Sequence, residues 1–441
     1  MHRNTVRALG VVVATCVGAY IFTWGTSGTA IAVPAFARKY QTTCAQCHTA
    51  IPHLNNYGRM FKLRGYHVPG DELLGKVDTG DQNLELLSSL PVAVVMNGRI
   101  SNPGGEPGPA EVALDSEFSF FVAGSLAKNI GFFLEDVVEE EDGEFESALE
   151  FARFTFAGLM SRDPASFNLE IGTINLLDWG ITDNRRFTDN GYAAYNTPIG
   201  NNGLLLAERE MGFSIYGNLG SGITPENETA AAAAAANPPA TDQPTTTSAD
   251  SAFSIPHGTN PYDIRKGIFY QVGIVTPGAA VGNRLHMFGR LQYAFAHGPW
   301  VGAFAYKGKS DLESGPEDFD RVSLELGWDF GKPFMSAGHE ITPNILSAAW
   351  LRGHDDDPFG EGGSVDHEAQ FVELAHFFTD KHAVVLRWDR VNSDDLPELN
   401  LRTITATYLY YLRRNARFGL EGVFNSETHD NTFTFFYQIG L

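Results

Sequence analysis

Residues 44 to 48 read Cys-Ala-Gln-Cys-His, and they have the residue types and spacing of a c-type haem attachment motif. The thiols of Cys44 and Cys47 are separated by two residues, which suits thioether bonds to the two vinyl groups on one porphyrin edge. His48 follows directly and is placed to bind the haem iron as the proximal axial ligand. The motif therefore predicts one covalently attached haem c.

A redox-active dithiol of the thioredoxin type also uses C-x-x-C spacing, and it is the alternative interpretation. Such a pair is expected in a βαβ context and does not require a particular residue after the second cysteine. Here His48 follows Cys47 at once, and the surrounding sequence lacks a βαβ pattern. Haem attachment is therefore the favoured interpretation.

The second axial ligand of the iron is encoded less directly. The nearby candidates are Met60, Met96, His53 and His67. Met96 is expected to face lipid, and His53 starts a helix too soon after the proximal histidine to cross the ring. We predict Met60 as the distal ligand, because it flanks the helix face that can pack on the haem and because methionine raises the reduction potential. The alternative is that Met60 belongs only to a hydrophobic core.

The first 32 residues have the pattern of a signal peptide. Arg3 and Arg7 form a basic start, an apolar run covers residues 8–24, and Ala-Ile-Ala at residues 30–32 fits a signal-peptidase site. An uncleaved membrane anchor is the alternative, because the apolar run is long. Cleavage would remove Cys16 and leave Cys44 and Cys47 as the only cysteines of the mature chain.

Residues 33–90 are predicted to form a small helical cytochrome c unit. Pro52 can be the first residue of a helix, and Gly65 can end it in the left-handed conformation. Leu54, Tyr57 and Phe61 then share one helix face, which can pack on the porphyrin. Arg59, Lys62 and Arg64 lie along the same predicted helix. They either reach the haem propionates or form a solvated basic face.

Residues 91–441 alternate between apolar and polar side chains with a period of two. The run RVSLELGWDF, residues 321–330, is typical: apolar residues occupy one face, and charged or small polar residues occupy the other. Runs of about 10 residues have the length of tilted strands that cross a bilayer. We count about sixteen such runs, an even number as expected for bacterial barrels. The predicted fold is an all-β transmembrane barrel of about sixteen antiparallel strands, with lipid outside and a polar lumen.

Composition agrees with an exported barrel and argues against nucleic-acid binding. The chain has 46 glycines, 12% aromatic residues and a formal net charge of −22. A protein that binds phosphates needs a basic surface, which this balance does not provide. No apolar stretch after the predicted signal peptide is long enough for a membrane helix.

Two segments interrupt the strand pattern. Residues 175–202 form a long non-strand segment that we expect to fold into the lumen, and residues 220–262 are of low complexity. Strand parity places the second segment on the periplasmic side, unless residues 332–341 are an additional strand. Parity also places four acidic runs together on the long-loop side: residues 139–144, 313–320, 354–361 and 392–398. They either concentrate cations jointly or act only as a solvated surface.

The haem motif followed by a barrel of this length resembles the fused cytochrome–porin family, outer-membrane monohaem cytochromes associated with bacterial oxidation of extracellular Fe(II). Cys44, Cys47 and His48 match the haem motif of that family. The resemblance implies a location in the bacterial outer membrane and a haem seated in or at the barrel. It also implies electron flow from extracellular Fe(II) to a periplasmic cytochrome. An outward conduit that reduces extracellular metal and a diffusion porin with a haem-bearing plug are the alternatives.

Overall fold

The alternating runs form the wall of a closed barrel. The computed structural model describes residues 35–40, 44–66, 76–77, 80–81, 86–87, 91–102, 113–127, 129–141, 144–160, 165–220, 267–277, 281, 284–295, 299–312, 315–336 and 339–441. The predicted signal peptide of residues 1–32, together with Cys16, His67 and residues 221–262, lies outside the described residues.

Sixteen antiparallel strands close this barrel, and the last strand pairs with the first. The predicted strand number and pairing are confirmed. In chain order the strands are β1 Val92–Asn102, β2 Ala113–Ala127, β3 Ile130–Glu141, β4 Glu144–Phe156, β5 Asn168–Asn175, β6 Arg209–Leu219, β7 Gly267–Thr276, β8 His286–Ala294, β9 Trp300–Leu312, β10 Gly315–Phe330, β11 Asn344–Asp355, β12 Val365–Phe377, β13 His382–Asn392, β14 Leu401–Arg413, β15 Ala416–Asn425 and β16 Asn431–Gly440.

The two faces of the wall follow the predicted alternation. In β10 the side chains of Arg321, Ser323 and Glu325 are buried inside the barrel, whereas Val322 and Leu324 are 42% and 53% exposed on the outside. Successive residues of a strand point to opposite faces, so one period-two pattern gives both an apolar outer surface and a polar inner one. Apolar residues stay exposed on the outer face because lipid covers it in a membrane barrel.

The strand order defines two ends of the barrel. We call the end where β1 begins and β16 finishes the terminal end, and the other end the opposite end. The acidic runs 354–361 and 392–398 connect β11 to β12 and β13 to β14, so both lie at the opposite end, as predicted. Phe334–Ser336 and His339–Ile341 pair only with each other, between β10 and β11 at the terminal end. Residues 332–341 therefore add no strand to the barrel.

The segment between β5 and β6, residues 176–208, folds into the lumen as expected, and we call it the inward segment. It contains two short 3-10 turns, Asp183–Arg185 and Ala193–Tyr195. Tyr192, Tyr195 and Leu204 are buried in one hydrophobic cluster with side chains of the wall such as Phe304 and Phe371. The rings of Tyr192 and Phe371 stack with centroids 4.3 Å apart. Much of the lumen beside β7 to β13 is thus filled with packed side chains.

Residues 35–40 and 44–66 also lie inside the barrel, and we call them the N-terminal segment. Helix α1 covers Ala35–Tyr40, helix α2 covers Asn56–Leu63, and His48–Ala50 pairs with His53–Leu54. The prediction that α2 begins at Pro52 is wrong, because Asn55 caps the helix and the preceding residues form the strand pair. Gly65 has a φ of 66°, which agrees with its predicted left-handed conformation after the helix. Elsewhere in 33–90 the structure describes the strand pair Lys76–Val77 and Leu86–Leu87.

None of the helices in the described ranges is long and apolar enough to cross a membrane.

The inward segment is attached to the wall by a buried arginine, which gives a test of the fold. Arg387 of β13 donates to Asp389 at 2.7 Å and to the carbonyl oxygen of Gly191 at 2.7 Å, and it lies 3.6 Å from Glu373. We expect Arg387→Met to lower the free energy of unfolding by about 3–5 kcal/mol, because it leaves two carboxylates buried without their cation. Urea unfolding in detergent micelles, followed by gel mobility, measures this change.

Arg390→Met is the matched control, because Arg390 lies in the same strand and, among the described residues, donates to the side-chain oxygen of Asn392 and forms no ion pair. Equal stability of the two variants would contradict a structural role of the Arg387 network.

Candidate functional site

The predicted haem motif lies at a cavity of about 960 Å³ inside the barrel, within the upper part of the range of small-molecule sites, about 300–1,000 Å³. Cys44, Cys47 and His48 all line it. The N-terminal segment bounds one side, and the inner faces of β1 to β4 bound another. The lining extends from Arg414, in the turn between β14 and β15 at the terminal end, to Glu139 near the opposite end of β3.

A tight local turn holds the motif. Residues Cys44–Gln46 form a 3-10 turn in which the amide of Cys47 donates to the carbonyl oxygen of Cys44 at 3.1 Å. Asn55 clamps this turn: its backbone amide donates to the carbonyl oxygen of Cys47 at 2.9 Å, and its side-chain amide donates to Ala45 and Gln46 at 3.2 and 3.1 Å. The side-chain oxygen of Asn55 caps α2 by accepting from the amide of Gly58 at 2.9 Å. Sequence analysis missed Asn55, although asparagine before a helical run is an N-cap signal.

Gly58 lets α2 approach the motif closely. A Cβ atom added at Gly58 would lie 2.1 Å from the carbonyl oxygen of Cys47. Gly131 of β3 likewise lets the wall approach the N-terminal segment closely, because an added Cβ would lie 1.9 Å from the carbonyl oxygen of Gly65. Both contacts are between backbones, so any larger residue would have to displace one of them. The motif, the helix and the wall are therefore in direct contact.

The environment of His48 fits a metal ligand. Its Nδ1 atom is buried and has no hydrogen-bond partner among the described residues, so one ring nitrogen is available. Burial lowers the pKa of His48 to about 4, although backbone hydrogen bonding by Pro52 and His53 partly opposes this shift. The imidazole is therefore neutral at ordinary pH, and the neutral form is the one that binds metals.

The cysteines do not have the properties of a redox-active pair. Cys44 is buried and Cys47 is half-buried, and no disulfide joins them. Burial, with a smaller contribution from Cys44, raises the pKa of Cys47 to about 12. Reactive cysteines instead have a lowered pKa, because the thiolate is the nucleophile. The donor set of two thiols and a neutral imidazole at one cavity fits the residues that hold haem c, and it does not fit a dithiol oxidoreductase.

The helix face predicted to pack on a porphyrin does face this cavity. Leu54, Tyr57 and Phe61 all contribute to its lining. Phe61 also packs edge-to-face on Phe36 and Tyr40, with ring centroids 5.0 and 5.5 Å apart. The aromatic cluster behind the face is thus supplied by α1, which explains why α1 lies against α2.

Met60 is on the other side of α2, away from the cavity lining. It is fully buried and packs in a cluster with Leu63, Trp179, Tyr216 and Phe269. This position favours the core interpretation of Met60 over the distal-ligand one. His53 does not line the cavity either; its Nε2 atom lies 3.4 Å from Asp329, and its ring stacks on Phe187. The structure thus gives no support to a second axial ligand at Met60 or His53.

The basic residues of α2 neither line the cavity as a group nor form a solvated face. Lys62 forms an ion pair with Asp178 of the inward segment and lies over the ring of Trp179, 4.9 Å from its centroid. Arg59 donates to the carbonyl oxygen of Trp179 at 3.3 Å and to Gln292 at 3.2 Å. Arg64 is also buried. Arg59 and Lys62 therefore attach the helix to the inward segment and the wall.

Asp178 is the centre of this attachment. Burial alone would raise its pKa, but three cations outweigh that effect and hold the pKa well below the usual range: Lys62, Arg153 and Arg185. Arg153 of β4 lies 3.1 Å from Asp178 and also donates to the hydroxyl of Tyr66 at 3.1 Å. One carboxylate thus connects α2, the wall and the inward segment.

Across the part of the chain that the structure describes, no group of three or more His, Cys, Asp or Glu side chains is arranged to hold a metal ion.

Comparison of the chain with protein-family models and with curated proteins gives no match. The solved structures that match this chain include porins and a channel. The anion-selective porin from Comamonas acidovorans superposes with a TM-score of 0.52 at 11% identity, over 80% of this chain and 99% of that one. OmpF of Salmonella typhi gives 0.49 at 10% identity, over 80% and 97%. The channel DcaP of Acinetobacter baumannii gives 0.46 at 10% identity, over 80% and 98%.

At this level of identity the similarity to the Comamonas porin concerns the fold alone. The chain therefore has the fold of an outer-membrane porin, a closed sixteen-stranded barrel whose lumen encloses residues 44–48.

Proposed function

We propose that this protein is an outer-membrane electron conduit, which takes electrons from extracellular Fe(II) and passes them to a periplasmic cytochrome. The observation that carries the proposal is the position of Cys44, Cys47 and His48 at one large cavity inside the barrel lumen. A haem attachment motif inside a membrane barrel places a redox group within the insulating wall. The terminal end is the periplasmic side in this proposal, as in bacterial barrels with short periplasmic turns.

The residues of the N-terminal segment have separate roles in this proposal. Cys44 and Cys47 anchor the haem covalently, and His48 binds its iron through a neutral imidazole. Leu54, Tyr57 and Phe61 supply the apolar wall that excludes water from the porphyrin face. Haem c held in this way supplies one-electron chemistry at a potential set by its ligands and surroundings.

Fe(II) is the substrate, and it stays outside the cell. Each Fe(II) ion loses one electron and remains on the extracellular side as Fe(III), so the insoluble product does not form inside. Exposed carboxylates at the opposite end attract the cation to the barrel mouth, among them Asp356, Asp394 and Glu398. The packed cluster around Tyr192 and Tyr195 separates this mouth from the terminal end on one side of the lumen.

An outward conduit that reduces extracellular metal uses the same residues, and only the direction of electron flow differs.

A diffusion porin with a haem-bearing plug is the second candidate. Two observations favour it: the porin fold, and the cavity lining that extends along β1 to β4 from Arg414 to Glu139. Single-channel conductance in a planar bilayer distinguishes a porin from a conduit, because a conduit gives no solute-sized openings.

The haem assignment predicts a covalent attachment. The wild-type protein, expressed with the haem-attachment machinery and freed of lipid, should keep its haem through denaturing electrophoresis and show a c-type pyridine haemochrome spectrum. Cys44→Ala with Cys47→Ala should lose the haem from the denatured chain, because no thioether remains. The barrel should still insert, since both residues are outside its strands. Haem that dissociates from the denatured wild type would rule out the assignment.

The Fe(II) proposal predicts haem reduction from the opposite end. In stopped-flow mixing of oriented proteoliposomes with excess Fe(II), the wild-type haem should become reduced. Asp356→Asn, Asp394→Asn and Glu398→Gln together should slow this step about three- to tenfold at low ionic strength. The difference should shrink at high salt, because exposed charges are screened within about 10 Å at 0.1 M.

Asp380→Asn, which removes one carboxylate at the terminal end, should have little effect and serves as the control. A haem that stays oxidised in excess Fe(II) would exclude iron oxidation and favour the outward conduit or the porin.

A further inference from the structure

Two arginines of the cavity differ from buried arginines of the wall such as Arg153 and Arg387. Arg153 lies 3.0 Å from Glu170 and Arg387 lies 2.7 Å from Asp389, so each has a carboxylate partner. Arg186 and Arg417 both line the cavity that contains the haem motif. Among the described residues, neither of these two forms an ion pair with a carboxylate; their hydrogen bonds are to neutral groups.

Arg186 belongs to the inward segment, and backbone carbonyls fix its guanidinium. Its Nε and Nη2 atoms donate to the carbonyl oxygen of Asp189 at 3.0 and 2.6 Å, and its Nη1 atom donates to that of Asp183 at 3.0 Å. These three bonds orient the planar group without neutralising its charge. A guanidinium has five N–H donors, so part of its capacity remains for another acceptor.

Arg417 belongs to β15, and its side chain is only 7% exposed. Its Nε atom donates to the side-chain oxygen of Gln438 at 3.1 Å, and its Nη1 atom donates to the carbonyl oxygen of Phe187 at 3.3 Å. Tyr411 is a further hydrogen-bond neighbour, and the ring centroid of Phe436 lies 5.8 Å from the guanidinium carbon. An amide, a carbonyl and aromatic groups thus surround a nearly buried cation.

The two guanidiniums lie close enough to repel each other. The Asp189 carboxylate acts on Arg417 from nearby, and it also lies 4.0 Å from Arg99, a third arginine of the cavity lining. The three arginines thus outnumber this carboxylate. Buried charges in proteins are ordinarily paired, because an unpaired one loses its hydration without compensation. The missing partner is an anion, and guanidiniums bind carboxylates with two parallel hydrogen bonds.

The geometry points to an anion site formed by Arg186 and Arg417, whose ligand is the pair of propionate carboxylates of haem c. The inference rests on the proposed haem and adds the residues that bind its acidic edge. Arg186 and Arg417 thus take the propionate-binding role that the sequence suggested for Arg59 and Lys62, because the latter two bind the inward segment instead. A free inorganic anion such as phosphate shares the chemistry and is the other source to be distinguished.

The test uses the full haem-loaded protein and four variants: Arg186→Gln, Arg417→Gln, Arg417→Lys and the control Arg390→Gln, which removes a charge outside the cavity lining. Resonance Raman spectra of the propionate bending bands and equilibrium redox titrations are recorded with and without inorganic phosphate. Gel mobility before and after heating verifies that each barrel is folded. If Arg417→Gln does not fold, Arg417→Lys and Arg186→Gln decide the outcome.

We expect both glutamine variants to shift the propionate bands. At a fixed applied potential, their ratio of reduced to oxidised haem should fall several-fold, because removal of a nearby cation disfavours the form with the extra electron. Arg417→Lys should restore part of this ratio but not the band positions, since lysine lacks the planar fork. Arg390→Gln should match the wild type, and phosphate should change nothing.

Unchanged bands and potentials in all variants of a haem-containing protein would overturn the propionate site and leave the proposed function intact. A wild-type potential that depends on phosphate, with the dependence lost in Arg417→Gln, would assign the site to a free anion and also overturn the inference. Absence of covalent haem in the wild type would overturn both the inference and the proposed function.

Discussion

A charged side chain enclosed by a barrel wall has to find its partner inside that wall, and the arrangement of the lumen depends on this constraint. Asp178 is the clearest case, because cations from three parts of the chain meet its carboxylate: Lys62, Arg153 and Arg185. Removing any one partner of such a network leaves an uncompensated charge, whose burial is strongly unfavourable. The polar inner face that the strand pattern requires therefore dictates which segments can occupy the lumen.

The candidate haem site combines local and distant constraints. Asn55 and Gly58 shape the motif through contacts within a few residues, and these contacts fix the turn that carries the cysteines. The orientation of the whole segment depends instead on contacts with the wall, such as the backbone approach of Gly65 to Gly131. The cavity exists because the inward segment fills the side of the lumen near β7 to β13 and leaves the side near β1 to β4 open.

The parts of this structure that the sequence predicted are those with a local physical signature. Period-two alternation follows from strand geometry, so the strands and their faces could be predicted, and Gly65 could be assigned because few residues adopt its backbone conformation. The partner of Lys62 could not be predicted, since Asp178 is 116 positions away. The position of Met60 could not be predicted for the same reason. Periodicity placed Met60 beside the helix face that can pack on the haem, but its burial in a hydrophobic core depends on packing against the distant Trp179.

Strands from both halves of the barrel contact the N-terminal segment. Gly65 meets β3, whereas the carbonyl oxygen of Ile51 accepts from Tyr411 in β14, and His53 lies beside Asp329 in β10. The wall closes only when β16 pairs with β1, the strand that follows this segment in the chain. The segment therefore contacts strands on both sides of the seam between β16 and β1, and it braces the closed wall from inside.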